Sequence, residues 1–437
     1  MFSSQPQAAS LQGIHWHKSA TSLPAQPTLD KQIDSDFVIV GGGLTGTRTA
    51  LGLAEHGASV VLLESKSIGW GASGRSGGQC NPMWRATPAH LAKRLGEACA
   101  SRLVDTTLAS ADALFEDIRK YKIDCDAEQA GWVQAAHCQS AQRDLETLAT
   151  AWNNAGASID LQDRVATHKA SGSNAYGFSL FHPRGGHVHP LSLTRGFART
   201  AQSFGAQLFE NSPVLSMTRS GTTWTVKTPS GSVTTKQVIL TTNAYTDDLW
   251  PDLRQTFYPL VSISLATAAL SPELQKTVLP NSVTIADTRR AIYYSRYDRD
   301  KRLVFGCVGS TDDPAALGGI KRLKRGLLTV FPQLAGIDIE ATWAGRIAVT
   351  PEMMPHLHEP DSGVIAALGF SGRGIAMTSV MARTVVSKAL GADENTLPFP
   401  VTPISRIPAH SVMRAAIPLV APAMTMRDKL DTVFDAF

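Results

Sequence analysis

The chain has 437 residues, enough for two domains with substantial cores. Its 43% hydrophobic and 18% charged content is that of a globular protein, and a formal net charge of +4 makes no case for nucleic acid while suiting an anionic cofactor or substrate. The five cysteines, Cys80, Cys99, Cys125, Cys138 and Cys307, show no CxxC pair and no metal-ligand spacing, which points to a reduced, cytoplasmic protein.

Residues 1–31 are polar and lack the basic-then-apolar pattern of a secretory signal. They are expected to form an arm laid over the surface. His15-Trp16-His17 has no acidic partner and reads as a surface anchor rather than a metal site. Phe37 to Val40 is an apolar run suited to a buried parallel strand. Gly41-x-Gly43-x-x-Gly46 follows, then a helical pattern over Leu44 to His56 with Gly57 as its stop. Ser59 to Glu64 is a second buried strand ending in an acid. This is a βαβ unit carrying the dinucleotide fingerprint. Gly41 makes the tight turn, Gly43 lets the backbone approach a pyrophosphate at the helix N-terminus, and Gly46 permits close helix–strand packing. Glu64 stands where a carboxylate can accept from ribose hydroxyls.

A second glycine-rich loop runs from Ile68 to Gln79. A nicotinamide-only domain has no need of it, whereas FAD bends back over the protein and requires an unobstructed second loop. Ser73 and Arg75 supply donors there. Residues 88–120 read as helical, Gly131 to Ala136 as a strand, and Ser140 to Ala155 as a solvated helix. Phe181 to Pro190 holds three histidines and an arginine around Gly185-Gly186. With no cysteine or carboxylate close by, it reads as a loop entering the cofactor domain, and no metal is expected. Leu193 to Phe204 is a helix and Ala206 to Phe209 a strand. Val214 to Arg219, Thr223 to Thr228 and Ser232 to Thr235 make a β-meander with turns at Gly221 and Gly231. Val238 to Ala244 is a further, separate buried strand.

Residues 260–335 read as mostly β, with a hairpin of Ile292–Tyr297 and Arg302–Gly306. One helix there buries Ile320, Leu323, Leu327 and Phe331, leaving the basic run Lys321 to Arg325 as its wet face. Trp343 to Pro351 and Gly363 to Leu368 precede the turn Gly369-Phe-Ser-Gly372-Arg373-Gly374. A helix then runs to Leu390, offering a second N-terminus to the cofactor. Ala415 to Met424 is the most apolar run. Pro418 and Pro422 are expected to break it as a helix, so it reads as a packed tail rather than a membrane segment.

Together the fingerprint, the loop Ile68–Gln79, Tyr121–Asp126, Gly185–Pro190, Asn243-Ala244-Tyr245, Phe331–Leu334 and Gly369–Gly374 resemble the FAD-dependent amine oxidoreductases of the D-amino-acid oxidase type. Within that family they are most similar to the gamma-glutamylputrescine oxidase branch. Two positions depart from the branch: Ser76 stands where Asn is usual, and Arg373 where His is usual. The resemblance implies an α/β flavoprotein with a Rossmann-like FAD-binding domain, carrying the β-meander and combining residues 32–100, 190–258 and 341–391. A mixed-sheet substrate domain would combine residues 101–189 and 259–340, with a tail over 392–437.

It further implies that FAD is held by Gly41, Gly43, Leu44, Thr45, Gly46, Glu64 and Ser65. The second loop would add Ala72, Ser73, Gly74, Arg75, Gly77, Gly78 and Gln79. Val214, Asn243, Ala244, Gly345, Gly372, Arg373, Gly374 and Ile375 complete the set. Residues 343–357 hold no cysteine, so the resemblance implies non-covalent FAD. The implied partners are a small-molecule amine and molecular oxygen. The amine would lose a hydride from the carbon beside nitrogen and yield an aldehyde, ammonia and hydrogen peroxide. Arg373 is the residue assigned to the reaction, through either flavin charge or a substrate carboxylate. A dehydrogenase serving a quinone or carrier, and an FAD-binding subunit without turnover, are the alternatives.

Overall fold

Val60–Leu63 and Val364–Leu368 are buried along their whole length, and so is the second half of Gln32–Val40. Such runs are stable only in a parallel sheet covered on both faces. In the computed structural model, which describes residues 13–437, they form the centre of an eight-stranded sheet. Its order is His356–Asp361, Val364–Leu368, Ser232–Leu240, Gln32–Val40, Val60–Leu63, Gln207–Phe209. All neighbours are parallel except the antiparallel edge strand His356–Asp361. Ser216–Ser220 and Thr223–Lys227 extend from it as the meander.

The third meander strand and the separate buried strand expected at Val238–Ala244 are one strand, Ser232–Leu240. Lys236-Gln237 looks like a break in the sequence. In the fold Lys236 is exposed and its ammonium bonds Asp36, so the polar pair passes through the sheet where water reaches it. The strand's first half pairs the meander and its second half pairs Val364–Leu368.

Helices Leu44–Glu55, Glu97–Lys120 and Gly374–Ala389 pack together beside this sheet. Asp117, 1% exposed, ties them to one another. Arg48 donates to it at 2.8 and 3.1 Å, and Arg383 at 2.8 Å.

A second eight-stranded sheet has the order Ile339–Val349, Tyr258–Ala269, Arg302–Gly309, Tyr294–Tyr297, Thr284–Asp287, Trp132–Ala136, Phe178–His182, Asp160–Gln162. Only the Thr284–Asp287 and Trp132–Ala136 pair is parallel. Ile339–Val349 begins the segment allotted to the cofactor domain by the sequence, but its pairing with Tyr258–Ala269 makes it an edge of this second sheet. The helix Gly319–Val330 buries Leu323 and Leu327 and leaves Lys321, Lys324 and Arg325 exposed.

Two expectations about the chain's ends are corrected. Residues 1–12 lie outside the described residues, but His15 and Trp16 are buried rather than a surface anchor. Trp16 Nε1 donates to the Ser76 carbonyl at 2.8 Å, and the Arg296 guanidinium lies 4.5 Å above its ring. His15 Nε2 bonds Asp298 at 2.8 Å. The segment is a plug behind the second glycine loop. At the other end, His410–Phe434 is one helix that continues through Pro418 and Pro422. The carbonyls these prolines leave unbonded, of Arg414 and Pro418, lie at solvent-accessible positions, where water substitutes for the lost N–H. Among the described residues no helix is long and apolar enough to cross a membrane.

Candidate cofactor and substrate site

The carboxyl ends of parallel strands are where open α/β sheets bind ligands. Here Val40, Leu63 and Thr241, at or just past three such ends, line one cavity of about 550 Å³. Ser262, Ala286, Tyr294 and Gly345 of the second sheet form its other wall.

The fingerprint behaves as its chemistry requires. Gly41 adopts φ +109°, a conformation side chains rarely take, and a Cβ on Gly46 would stand 2.0 Å from the Gly41 carbonyl oxygen. Neither Gly43 nor Arg373 caps its helix, Leu44–Glu55 or Gly374–Ala389, with its own side chain, and of the first helix's N-terminal N–H groups Ser73 takes that of Leu44. Both N-termini, at Gly43-Leu44-Thr45 and Gly372-Arg373-Gly374-Ile375, border the cavity. Their first-turn N–H groups have no partner within the helix, so each presents an electropositive end to an anion. Two such ends on one cavity fit a dinucleotide that carries negative charge.

Glu64 is buried, and burial raises its carboxyl pKa. Its Oε2 accepts from the Gly42 N–H at 2.7 Å and its Oε1 from the Lys66 N–H at 2.8 Å. Oε1 also accepts from the Ser65 hydroxyl at 3.2 Å, so it is Oε2 that keeps a second lone pair for a ribose hydroxyl. Ser73, expected as a cofactor donor, has its Oγ accepting from the Leu44 N–H at 2.9 Å, which holds the two glycine loops together. Arg75 Nε donates to the Trp70 carbonyl at 2.9 Å, its Nη1 donates to that of Ala344 at 3.3 Å, and it stacks over Trp70. Gln79 Nε2 donates to the Ile285 and Ser295 carbonyls at 3.0 and 2.9 Å, stapling the loop to the second sheet. Asn243 has φ +46° and its Oδ1 accepts from the Gly369 N–H at 2.9 Å, so it joins two strand ends.

Of the expected cofactor residues, Ser65, Ala72, Gly77, Gly78, Val214 and Gly345 also line the cavity. Gly46, Gly74 and Ala244 do not. A Cβ on Gly74 would meet the Gly69 carbonyl oxygen at 2.2 Å, and Ala244 is in the core, so these three shape the backbone behind the wall.

The sequence reading missed most of the second wall. Tyr294 lies across Gly77 and Gly306, where an added Cβ would meet its ring at 2.8 and 2.1 Å. Its hydroxyl sits 2.8 Å from Ser262 Oγ and 2.9 Å from Ser264 Oγ, and burial pushes its phenol pKa up, so it is neutral. Tyr245, Arg346 and Arg85 also line the cavity. Tyr245 stood in a quoted motif, but nothing local marked Tyr294 or Arg85. The three histidines of the 181–190 stretch are buried. Burial lowers His182 to about 4, and burial then the Arg296 charge lower His189 to about 3. His189 Nδ1 caps the following helix by accepting from the Ser192 N–H at 3.1 Å. His137, Asp428 and Asp431 bring ligand atoms within 4.8 Å of one another. Both carboxylates, however, already bond Arg290, through its backbone and guanidinium groups.

The fingerprint, the two helix N-termini and the cavity between the sheets are those of an α/β protein built to hold a dinucleotide. The chain matches the DAO family of FAD dependent oxidoreductases over residues 36–388 and belongs to it. It is 34% identical over 375 residues to the probable oxidoreductase OrdL of Haemophilus influenzae, covering 84% of this chain and 86% of that one. It is 31% identical over 421 residues to the gamma-glutamylputrescine oxidoreductase of Escherichia coli, covering 95% and 98%. The solved glycine oxidase of Geobacillus kaustophilus shares the fold with a TM-score of 0.71 at 20% identity, covering 85% of this chain and 99% of that one. The L-proline dehydrogenase of P. horikoshii does so at 0.70 and 19%, covering 85% and 100%.

Proposed function

We propose that the chain oxidises gamma-glutamylputrescine, or a similar polar-tailed amine, to an aldehyde with release of ammonia and hydrogen peroxide. The observation that carries this is the 31% identity to the gamma-glutamylputrescine oxidoreductase along almost the whole of both chains. The balance is one amine, one oxygen and one water giving one aldehyde, one ammonia and one peroxide. FAD, when bound, supplies the hydride acceptor, and the protein supplies orientation and charge.

In this reading the pyrophosphate lies against Gly43, Leu44 and Thr45, held by the backbone N–H groups of Gly43 and Thr45 while that of Leu44 is given to Ser73, and Glu64 holds the ribose. The loop Ala72–Gln79 and the turn Gly372–Ile375 seat the ring, with the second N-terminus available to negative charge. Tyr294, held neutral between two serines, fixes the opposite wall. Non-covalent attachment is supported by the absence of cysteine and histidine from the cavity lining among the described residues. The reading assigns cofactor binding to the first sheet and its helices and substrate binding to the second sheet. It also sets the protein in the cytoplasm, in keeping with five free cysteines.

The test is anaerobic mixing of the yellow holoprotein with gamma-glutamylputrescine. Bleaching of the flavin band is expected, followed by stoichiometric peroxide when air is admitted. Bleaching only by 2-amino acids overturns the substrate. Bleaching without peroxide until a quinone is added replaces oxygen as the acceptor.

A further inference from the structure

The helix His410–Phe434 packs on the body with one side only. Ile417, Ala421 and Asp428 are buried there, and Met424 reaches the cavity wall. His410 Nε2 donates to the Phe257 carbonyl at 2.9 Å, and the Asp428 carboxylate accepts from the Arg290 and Ala291 N–H groups at 2.8 and 2.9 Å. These bonds at both ends fix which face is inward. The opposite face is apolar. Val412, Leu419, Met426 and Val433 are 70%, 70%, 61% and 72% exposed. They stand seven residues apart, and Ala416, Ala423 and Leu430 fall between them. The seam thus advances by four and three residues alternately along the helix, the 3.5-residue period of helices that pack lengthwise on one another. Phe434, 82% exposed, and Met413 flank it, and neither proline stands on it.

Such a surface is costly in water. These side chains offer on the order of 700 Å² of apolar area, above the roughly 300–600 Å² of the largest patch on a typical monomer and near the about 800 Å² that each partner gives a stable interface. Their sizes also alternate. Turned end for end on a second copy, with positions 412 and 430 opposite, the seam sets Val412 against Leu430, Ala416 against Met426 and Leu419 against Ala423. Each alanine meets a long side chain, which is how facing layers interdigitate without a gap.

The charges agree with that arrangement. Asp428 and Asp431, the acids of the helix, are turned to the body and held by Arg290. Arg427 and Lys429 lie toward one end, so a reversed copy brings them against Met413 and Ala415. A parallel pair would set alanine on alanine and the cations side by side. A lipid surface would accept the apolar area but has no use for a small residue between large ones. Its cationic rim would be thin as well, because Arg427 is already paired with Asp431 at 3.4 Å.

We propose that this seam is the interface of a two-fold homodimer, in which the helices His410–Phe434 of two copies pack antiparallel. Met424 and Arg290 belong to the cavity wall, so the second copy braces that wall from outside.

The experiment is sedimentation of the full-chain holoprotein at micromolar concentration in lipid-free buffer. A mass twice that of the 46.7 kDa chain is expected. Leu419→Lys and Met426→Lys each change a side chain that is exposed in the single chain, so flavin content should match the parent while the mass falls to that of one chain. Ala423→Leu separates a helix partner from a membrane. It fills the space that Leu419 of the second copy needs, so self-association should weaken at least ten-fold, as overpacking implies, whereas a lipid surface would gain from it. Register is read with cysteines. Positions 412 and 430 of one helix lie roughly 27 Å apart, too far for an internal disulfide. The double variant Val412→Cys/Leu430→Cys should therefore link two chains under oxidised glutathione, and either substitution alone should not.

A parent that sediments as one chain overturns the proposal. So does a dimer that both lysine variants leave intact, or one that Ala423→Leu leaves unchanged or tightens. Linking by either cysteine alone overturns the antiparallel arrangement. A single chain that floats with vesicles of phosphatidylglycerol and phosphatidylcholine, and stops doing so in Leu419→Lys, gives the face to a lipid surface and overturns the dimer.

Discussion

Replacing Gly46 by Ala tests whether the fingerprint helix is set by backbone contact. A Cβ there would lie 2.0 Å from the Gly41 carbonyl oxygen and 2.7 Å from Thr241 Oγ1. Ordinary carbon–oxygen contact starts near 3.2 Å, so the helix must retreat by roughly 1 Å, the scale on which overpacking costs about 1–3 kcal/mol. Neither clashing group can swing aside. The oxygen at 2.0 Å belongs to the backbone, and Thr241 Oγ1 bonds the Val40 and Gly41 carbonyls at 3.0 Å each. An unfolding entropy of about 2.1 cal/mol/K per residue gives about 0.9 kcal/mol/K for a cooperative chain of this length. The apoprotein Tm should therefore fall by about 1–3 °C. The retreat also moves the helix N-terminus from its place beside the cavity, so FAD affinity should fall at least ten-fold in a fluorescence titration. Gly43→Ala is the control. Its Cβ would meet the Ser73 hydroxyl at 2.9 Å, a single side-chain atom that can turn aside at the cost of one hydrogen bond, that from the Leu44 N–H, about 1 kcal/mol. That variant should keep the parent apoprotein Tm within about 1 °C and lose FAD affinity alone, because its methyl group enters the cavity. A Gly46→Ala protein with parental Tm and parental FAD affinity refutes the reasoning.

Three further outcomes follow from buried groups. Asp117→Asn leaves Arg48 buried without its counter-charge and should cost about 3–5 kcal/mol in denaturant unfolding. Burial raises the Asp117 carboxyl, but the bonds and charges of Arg48 and Arg383 outweigh it and hold the pKa below the usual value. The stabilisation is therefore complete above the unfolded carboxylate range, about pH 4, and is lost as pH falls through the lower folded pKa. The Tm difference between parent and Asp117→Asn should accordingly shrink in acid, and a constant difference counts against the pair. Trp16→Ala should cost about 3–5 kcal/mol and weaken FAD binding, because it empties a core site and frees the Ser76 carbonyl; a change under 0.5 kcal/mol would restore the surface-anchor reading.

What the sequence made legible is what local chemistry dictates. The βαβ unit was plain because phosphate recognition by backbone N–H needs glycine at fixed spacing between a buried strand and a helix, all within residues 36–64. The second loop was plain for the same reason. Tyr294 was not: its hairpin with Arg302–Gly309 was expected and is present, but its place against Gly77 depends on packing onto a loop far away in the chain and on pairing with Thr284–Asp287. No residue near it in the chain reports that packing. Trp16 was misread because its partners, Ser76 and Arg296, are 60 and 280 positions away. Pro418 and Pro422 were misread because proline breaks a helix only where nothing replaces the lost hydrogen bond, and exposure cannot be seen in a sequence.

The same distinction governs how this site can change. In the reading proposed here, cofactor recognition rests on backbone atoms at two helix N-termini and so tolerates few substitutions; the fold that places those N-termini is shared by chains that are only about 20% identical. In the same reading substrate recognition rests on side chains brought from separate elements, so a single replacement would alter it while the fold stays fixed. Arg373 sits where both meet: its backbone belongs to the cofactor turn, and its guanidinium lies against Trp132 of the other sheet. A histidine at that position would be mostly neutral near pH 7 and shorter, whereas a guanidinium keeps its charge and offers a two-pronged donor.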